Sequence, residues 1–285
     1  MATPGQAPTS DRLLEIAAWT TESGLRGLAE RELLRGFCER AVSAGIPLAR
    51  ATFGIDTLHP ELEARIFYWR RDDERPISTD YVRSDRDNVR DLWLRSPFYR
   101  LLQSGEKLLR LRVAETPPGE FPFVDDCREL GMTDYAALVD RFGAAGSIGE
   151  MDCTFSSFAT DHPRGFADAD LDALRFLVPG LGLAMKSIAV TRIAETLVET
   201  YLGRDAGRRV LSGRIRRGVA DRIGAALWFS DLRDFTRIAE AATAEQLIPF
   251  LNDYADAIIT AIDGAGGDVL KLVGDGILAI FTQDE

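Results

Sequence analysis

The chain has 285 residues, 46% apolar and 28% charged, which is enough for two domains with buried cores. Acidic residues outnumber basic ones 45 to 34, and the net charge of −11 argues against a general nucleic-acid or membrane-surface role, since either favours a basic face. Three widely spaced cysteines (Cys38, Cys127, Cys153) and two histidines (His59, His162) show no metal-type pairing, which fits a reducing cytoplasm and speaks against zinc. No apolar run reaches the ~20 residues of a membrane span. The first residues lack the basic patch and apolar core of a secretory signal, so 1–10 read as a disordered lead-in.

From Asp11 to about Gly45 the pattern is helical, with Leu13, Leu14, Ala17, Ala18, Leu25, Leu28, Leu33, Leu34 and Phe37 at 3–4 spacing. IPLARATFGID and ARIFYWRR are strand-like, rich in branched and aromatic residues and separated by the turn-prone LHPE. A short helix at SPFYRLLQSG precedes a strand at KLLRLRV, and the prolines of AETPPGEFPF predict a loop. DYAALVDRF and MDCTFSSFAT are further strands around a glycine-rich turn. Trp69, Trp93 and Phe98 either pack in a core or line a ligand pocket.

Asp168 or Asp170 caps the next helix. Its Leu171, Leu174, Val178, Leu181, Met185 and Ile188 recur at heptad spacing, and Pro179 interrupts the backbone ladder. That stripe packs on the domain's own sheet or forms a parallel dimer seam. Residues 189–218 are the connector: a helix running to Leu202, a C-cap at Gly203, then a basic stretch read as a solvated linker or a phosphate-binding run.

After Ala225 the apolar strand AALWFS ends at Asp231. Thr243, with Gln246 three positions on, makes a capping box for a helix carrying Leu247, Phe250, Leu251, Tyr254, Ile258 and Ile262 on one face. Gly264 to Gly267 end it, and DVLKLV and ILAIF form a hairpin about Gly274, Asp275 and Gly276. One carboxylate thus sits at a strand end and a second in a neighbouring turn, an arrangement suited to a hard cation that also engages substrate phosphates. Taken alone, such a pair of turn aspartates is more often structural.

The surrounding residues add a resemblance. WFSDLRDFT and KLVGDGILAIF resemble the two metal motifs of class III adenylate and guanylate cyclases, and YLGRDAG, VLSG and IRRG resemble the lead-in of bacterial members. The resemblance covers about residues 200 to 285. It implies that Asp231 and Asp275 bind two Mg²⁺ or Mn²⁺ ions, with the Leu232 carbonyl on one of them. It implies no catalytic side chain beyond these metal ligands. The amides of Arg233, Asp234, Phe235 and Thr236 would face the ATP triphosphate at a helix start. Lys271 matches the adenine-recognising lysine of adenylate cyclases, where guanylate cyclases carry glutamate, since an ammonium donates to adenine N1. Asp234 departs from the family, standing where many relatives have glycine or serine, and its charge weakens phosphate binding unless it points away.

In this family the site forms between two catalytic domains, one giving the aspartates and the other the lysine, a further purine contact and an asparagine–arginine pair. The chain ends at Glu285, ten residues past Asp275, so the last three elements are expected to be absent and the chain to have little activity alone, with apolar surface left uncovered. Upstream, strands followed by FADADLDAL and a long helix resemble a GAF domain over residues 25 to 190, which implies an unknown small ligand or a dimerisation role.

The expected fold class is α/β (α+β). A GAF-like sensor or dimerisation domain takes 11–188, a helical basic linker 189–218, and the partial ferredoxin-like palm of a cyclase 219–285. The expected function is conversion of ATP to cyclic AMP and pyrophosphate, in a cytoplasmic homodimer joined through the catalytic domains and the helix near 171–188, with no nucleic acid or membrane partner. A non-catalytic regulatory module retaining a cyclase remnant and a guanylate cyclase are the alternatives. GGDVL at Gly266 invites comparison with diguanylate cyclases, but the rest of the GGDEF pattern is missing.

Overall fold

The structure is a computed structural model that describes residues 8–56, 62–73, 77–82, 91–143, 151–202, 204–213 and 224–282. The LHPE turn, the glycine-rich turn after Gly143, the cap at Gly203 and the arginines at 214–217 lie outside the described residues. The chain divides into two compact units, Met1–Ile193 and Ala194–Glu285. Both are mixtures of helices with antiparallel sheet, an α+β fold.

In the first unit the helical pattern over 11–45 resolves into two helices, α1 (Ser10–Leu25) and α2 (Glu30–Ser43). Between them Gly27 takes a left-handed φ of 68°, a conformation that breaks a helix at little steric cost to glycine. Six strands follow: β1 (Arg50–Asp56), β2 (Leu62–Arg70), β3 (Ile77–Val82), β4 (Leu108–Arg112), β5 (Asp134–Arg141) and β6 (Cys153–Thr160). They form one sheet in the order β3-β2-β1-β6-β5-β4. Strand β3 was not anticipated. Two short helices intervene, α3 (Pro97–Ser104) and α4 (Pro122–Glu129). The expected loop AETPPGEFPF ends early because Pro122 opens α4, and the first helical turn is where proline's missing amide costs nothing.

Side-chain alternation on β6 splits the core in two. Cys153, Phe155 and Ala159 pack with residues of α3 and α4, including Phe98, Leu101, Val124 and Cys127. On the other face Phe158 meets Phe37 of α2, ring centroids 6.3 Å apart. There too Thr154 lies against Gly182 of the long helix α5 (Asp168–Leu202). Trp69 and Phe98 are buried and Trp93 stands edge-on to Phe155 at 5.1 Å, so all three are packing residues. Helix α5 begins where the Asp170 carboxylate accepts the Ala167 amide at 2.8 Å. Its heptad stripe is core: Leu171, Leu174, Val178, Leu181 and Met185 are buried and Ile188 is half-buried. By length and composition Asp168–Glu199 passes for a membrane-crossing helix, but half of its apolar window is buried inside the protein.

One buried charge organises the edge of the unit. Asp134, fully buried at the start of β5, accepts from Arg110 of β4 at 2.7 and 3.0 Å and from the Phe166 amide at 3.0 Å. It thereby ties the sheet edge to the loop that launches α5. Removing one partner of a buried ion pair strands the other, at a cost of about 3–5 kcal/mol. Asp134→Ala is therefore expected to lower the first unit's stability by about that much, read by urea unfolding followed through Trp19, Trp69 and Trp93.

The second unit continues with α6 (Arg204–Leu211), so part of the expected basic linker is helical. Strands β7 (Ala225–Ser230), β8 (Asp268–Val273) and β9 (Gly276–Thr282) pair in the order β7-β9-β8. Between β7 and β8 lie α7 (Phe235–Ala241) and α8 (Ala244–Gly264).

Candidate active site

Packing of α8 on one face of the three-stranded sheet builds the platform for the site. Ile262, Ile277 and Ala279 are its buried centre, flanked by Tyr254, Ala255, Ile258, Val269 and Phe281. The predicted apolar face of α8 is thus used from Tyr254 onward, whereas Phe250 is exposed. Gln246 accepts the Thr243 amide at 3.2 Å, as a capping box requires. The Tyr254 hydroxyl shares a hydrogen bond of 3.0 Å with Ser230, pinning the last residue of β7 to the helix immediately before Asp231. On the opposite face Leu227 is 69% and Phe229 61% exposed, while Ile280 is buried.

Two strand ends bring the carboxylates together. Ser230 of β7 pairs with Ile277 of β9, so the residue that follows β7 emerges beside the turn that precedes β9. That turn is the two-residue loop Gly274–Asp275 between the paired Val273 and Gly276. Gly274 has φ 64°, the positive value that the first position of a II′ hairpin turn demands. The Leu232 amide donates to an Asp275 carboxylate oxygen at 3.1 Å, and the Asp231 carboxyl feels the neighbouring Asp275. The Asp231 carboxyl is raised from its ordinary value, first by the adjoining Asp275 carboxyl, then by desolvation and by the charge of Asp275.

The donor set suits a hard cation. Asp231 follows one strand end and Asp275 sits in the turn at the neighbouring one, and the Leu232 carbonyl accepts the Phe235 amide at 3.3 Å, leaving it a second lone pair. Among the described residues no group of three or more His, Cys, Asp or Glu side chains is placed to hold a metal. One or two carboxylates completed by water and phosphate oxygens is the usual set for Mg²⁺.

The other expected contacts divide. Lys271 is exposed on β8 opposite Leu278, on the sheet face away from α8, and makes no ion pair with Asp231 or Asp275. Arg233 to Thr236 form the turn into α7, and the Phe235 amide is already engaged by Leu232. Asp234 has φ 60°, the one left-handed non-glycine among the described residues, and its carboxylate lies 4.0 Å from Arg237. The backbone conformation favours glycine at this position, a requirement that residue spacing does not reveal. The Ser230–Tyr254 pair was also not anticipated; its signal is a hydroxyl residue one position before Asp231.

No family model matches the chain. A stretch of 59 residues, 21% of the chain, is 39% identical to the terminal-differentiation-specific adenylate cyclase of Dictyostelium discoideum. A stretch of 66 residues, 23% of the chain, is 39% identical to the adenylate cyclase of Anabaena cylindrica. The chain is similar to adenylate cyclases. It spans only 3% and 13% of the lengths of these two relatives. Similar solved structures include the phycocyanobilin-bound GAF domain of a cyanobacterial phytochrome, with 13% identity and a TM-score of 0.43 over 63% of this chain and 96% of that one.

A non-glycine residue held in the left-handed region costs roughly 1 kcal/mol relative to glycine. Asp234→Gly is therefore expected to stabilise the second unit by about 1 kcal/mol, read as increased hydrogen-exchange protection of the β7 and β9 amides.

Proposed function

We propose that the chain takes part in adenylate cyclase chemistry, with Asp231 and Asp275 as ligands of two Mg²⁺ or Mn²⁺ ions and ATP as substrate. The observation that carries this reading is the convergence of the two carboxylates at paired strand ends beside the Leu232 backbone. Sequence similarity to adenylate cyclases supports it.

In the reaction the ribose 3′-oxygen bonds to the α-phosphorus, the bond from that phosphorus to the bridging oxygen breaks, pyrophosphate leaves, and the hydroxyl proton passes to solvent. Bound metal ions would lower the barrier by polarising the attacking hydroxyl and neutralising the leaving phosphates. Asp231 and Asp275 hold the cations in place, and the Leu232 amide keeps Asp275 turned toward Asp231. The amides of Arg233, Asp234 and Thr236 are the remaining donors for the triphosphate at the start of α7. The Asp234 carboxylate, drawn toward Arg237, leaves that approach less negative. Lys271, unpaired with either aspartate, donates to the adenine of an ATP held by a second copy, in a cytoplasmic homodimer whose first unit serves as a sensor for a small ligand.

A charge-assisted hydrogen bond contributes roughly 1.5–3 kcal/mol, or about 10–100-fold in affinity. In the presence of Mn²⁺, a non-cyclisable ATP analogue is expected to bind more tightly than its GTP counterpart. Lys271→Glu is expected to weaken the ATP analogue by about 10–100-fold, measured by calorimetry. Equal affinity for the two nucleotides, or an unchanged affinity in Lys271→Glu, contradicts the assignment of Lys271.

A further inference from the structure

Two grips hold the strand ends beside Asp231 and Asp275, one from each face of the three-stranded sheet. On the α8 side, Ser230 stands opposite Ile277, whose side chain is buried in the core that α8 covers, so the Ser230 side chain points the same way. There its hydroxyl meets that of Tyr254 at 3.0 Å. On the other side the ring of Phe229, one residue earlier, lies against the turn: a Cβ on Gly276 would come within 3.0 Å of it. Phe229 thus steadies the residue after Asp275, and Tyr254 the residue before Asp231.

The two grips differ in kind. Phe229 makes a packing contact at a site that is 61% exposed. The Tyr254 bond is directional, and its donor stands on a helix of 21 residues whose Ile258 and Ile262 pack on the same sheet. The Tyr254 ring already belongs to that core, and phenylalanine would fill the same space, so packing does not call for the hydroxyl. Asp231 is exposed, and an exposed carboxylate keeps its place only as well as the backbone that carries it. Its nearest fixed points are the Ser230 side chain on one side and the Leu232 amide, bonded to Asp275, on the other.

We infer that Tyr254 is a positioning residue: acting through Ser230, it fixes the spacing of Asp231 from Asp275 and so sets the preference of the pair for a small divalent cation over a large one. This role presupposes the proposed metal role of the two aspartates and adds the residue that tunes it. Mg²⁺ needs near-octahedral oxygen ligands at about 2.1 Å, whereas Ca²⁺ accepts irregular sets at about 2.3–2.6 Å. Fixed ligand spacing therefore favours the small ion, and a ligand free to shift penalises it while sparing Ca²⁺. Mn²⁺ takes the same oxygen donors as Mg²⁺ and serves as the small-ion probe.

In the full chain, Mn²⁺ binding is read by electron paramagnetic resonance and Ca²⁺ binding by displacement of that Mn²⁺. Tyr254→Phe is expected to weaken Mn²⁺ by about 3–10-fold, the worth of one neutral hydrogen bond, and Ca²⁺ by less than about twofold. Ser230→Ala is expected to do the same, and the double variant to add nothing, because both changes remove one bond. Ile258→Val loosens the core without touching that bond and is expected to keep the wild-type ratio of Mn²⁺ to Ca²⁺ affinity, since a partly unfolded site loses both ions alike. An unchanged ratio in Tyr254→Phe, additive effects of the two hydroxyl variants, or an equal change of ratio in Ile258→Val overturns the positioning role. Asp231→Asn separates that result from failure of the metal reading. Mn²⁺ binding lost in Asp231→Asn, with the ratio kept in Tyr254→Phe, overturns the role of Tyr254 alone; Mn²⁺ binding left intact by Asp231→Asn overturns both.

Discussion

The register between β7 and β9 is the constraint on which the second unit depends. Because Ser230 pairs with Ile277, the chain leaves β7 at the point where the β8–β9 turn enters β9. A slip of one residue would turn Ile277 and Ala279 away from α8, dismantling the small core along with the site. Hydrophobic packing on one side of the sheet thus holds in place two carboxylates that repel each other. The Leu232 amide and the Ser230–Tyr254 hydrogen bond secure the same strand end from either side. Like charges at short range cost free energy unless a proton or cation is shared, and the raised Asp231 carboxyl reflects that tension.

The first unit solves a different problem, covering both faces of one sheet. Alternation along β6 serves two cores, and the buried Asp134 fastens the edge strand to the start of α5. With the sheet covered, α5 has a side to spare. Its inner stripe is spent on the core, while the outer one, with Phe176 and Leu183, remains exposed. A helix with two apolar stripes has the length and composition of a membrane-crossing helix, as Asp168–Glu199 does.

Much of this was legible beforehand because it rests on local pattern. The six-residue strand ending just before Asp231, the Gly274–Asp275 hairpin, the Thr243–Gln246 capping box and the inner stripe of α5 each follow from spacing and turn chemistry. What escaped depends on tertiary context. Strand β3 is a short edge strand with a proline just before it, and α4 hides among prolines that mark both loops and helix starts. The break between α1 and α2 needed the left-handed φ of Gly27, and the outer stripe of α5 emerges only once the inner one is known to be buried. The glycine-like backbone at Asp234 has no signature in residue identity at all.

The proposed role of Asp231 and Asp275 is to hold a divalent cation together. Its most direct test is a Mn²⁺ titration of the full chain followed by electron paramagnetic resonance, beside Asp231→Asn and Asp275→Asn. Loss of an outer-sphere partner already costs a metal site about 10–100-fold in affinity, so loss of either ligand is expected to cost at least that. Mn²⁺ binding that is the same in wild type and both variants would contradict the account.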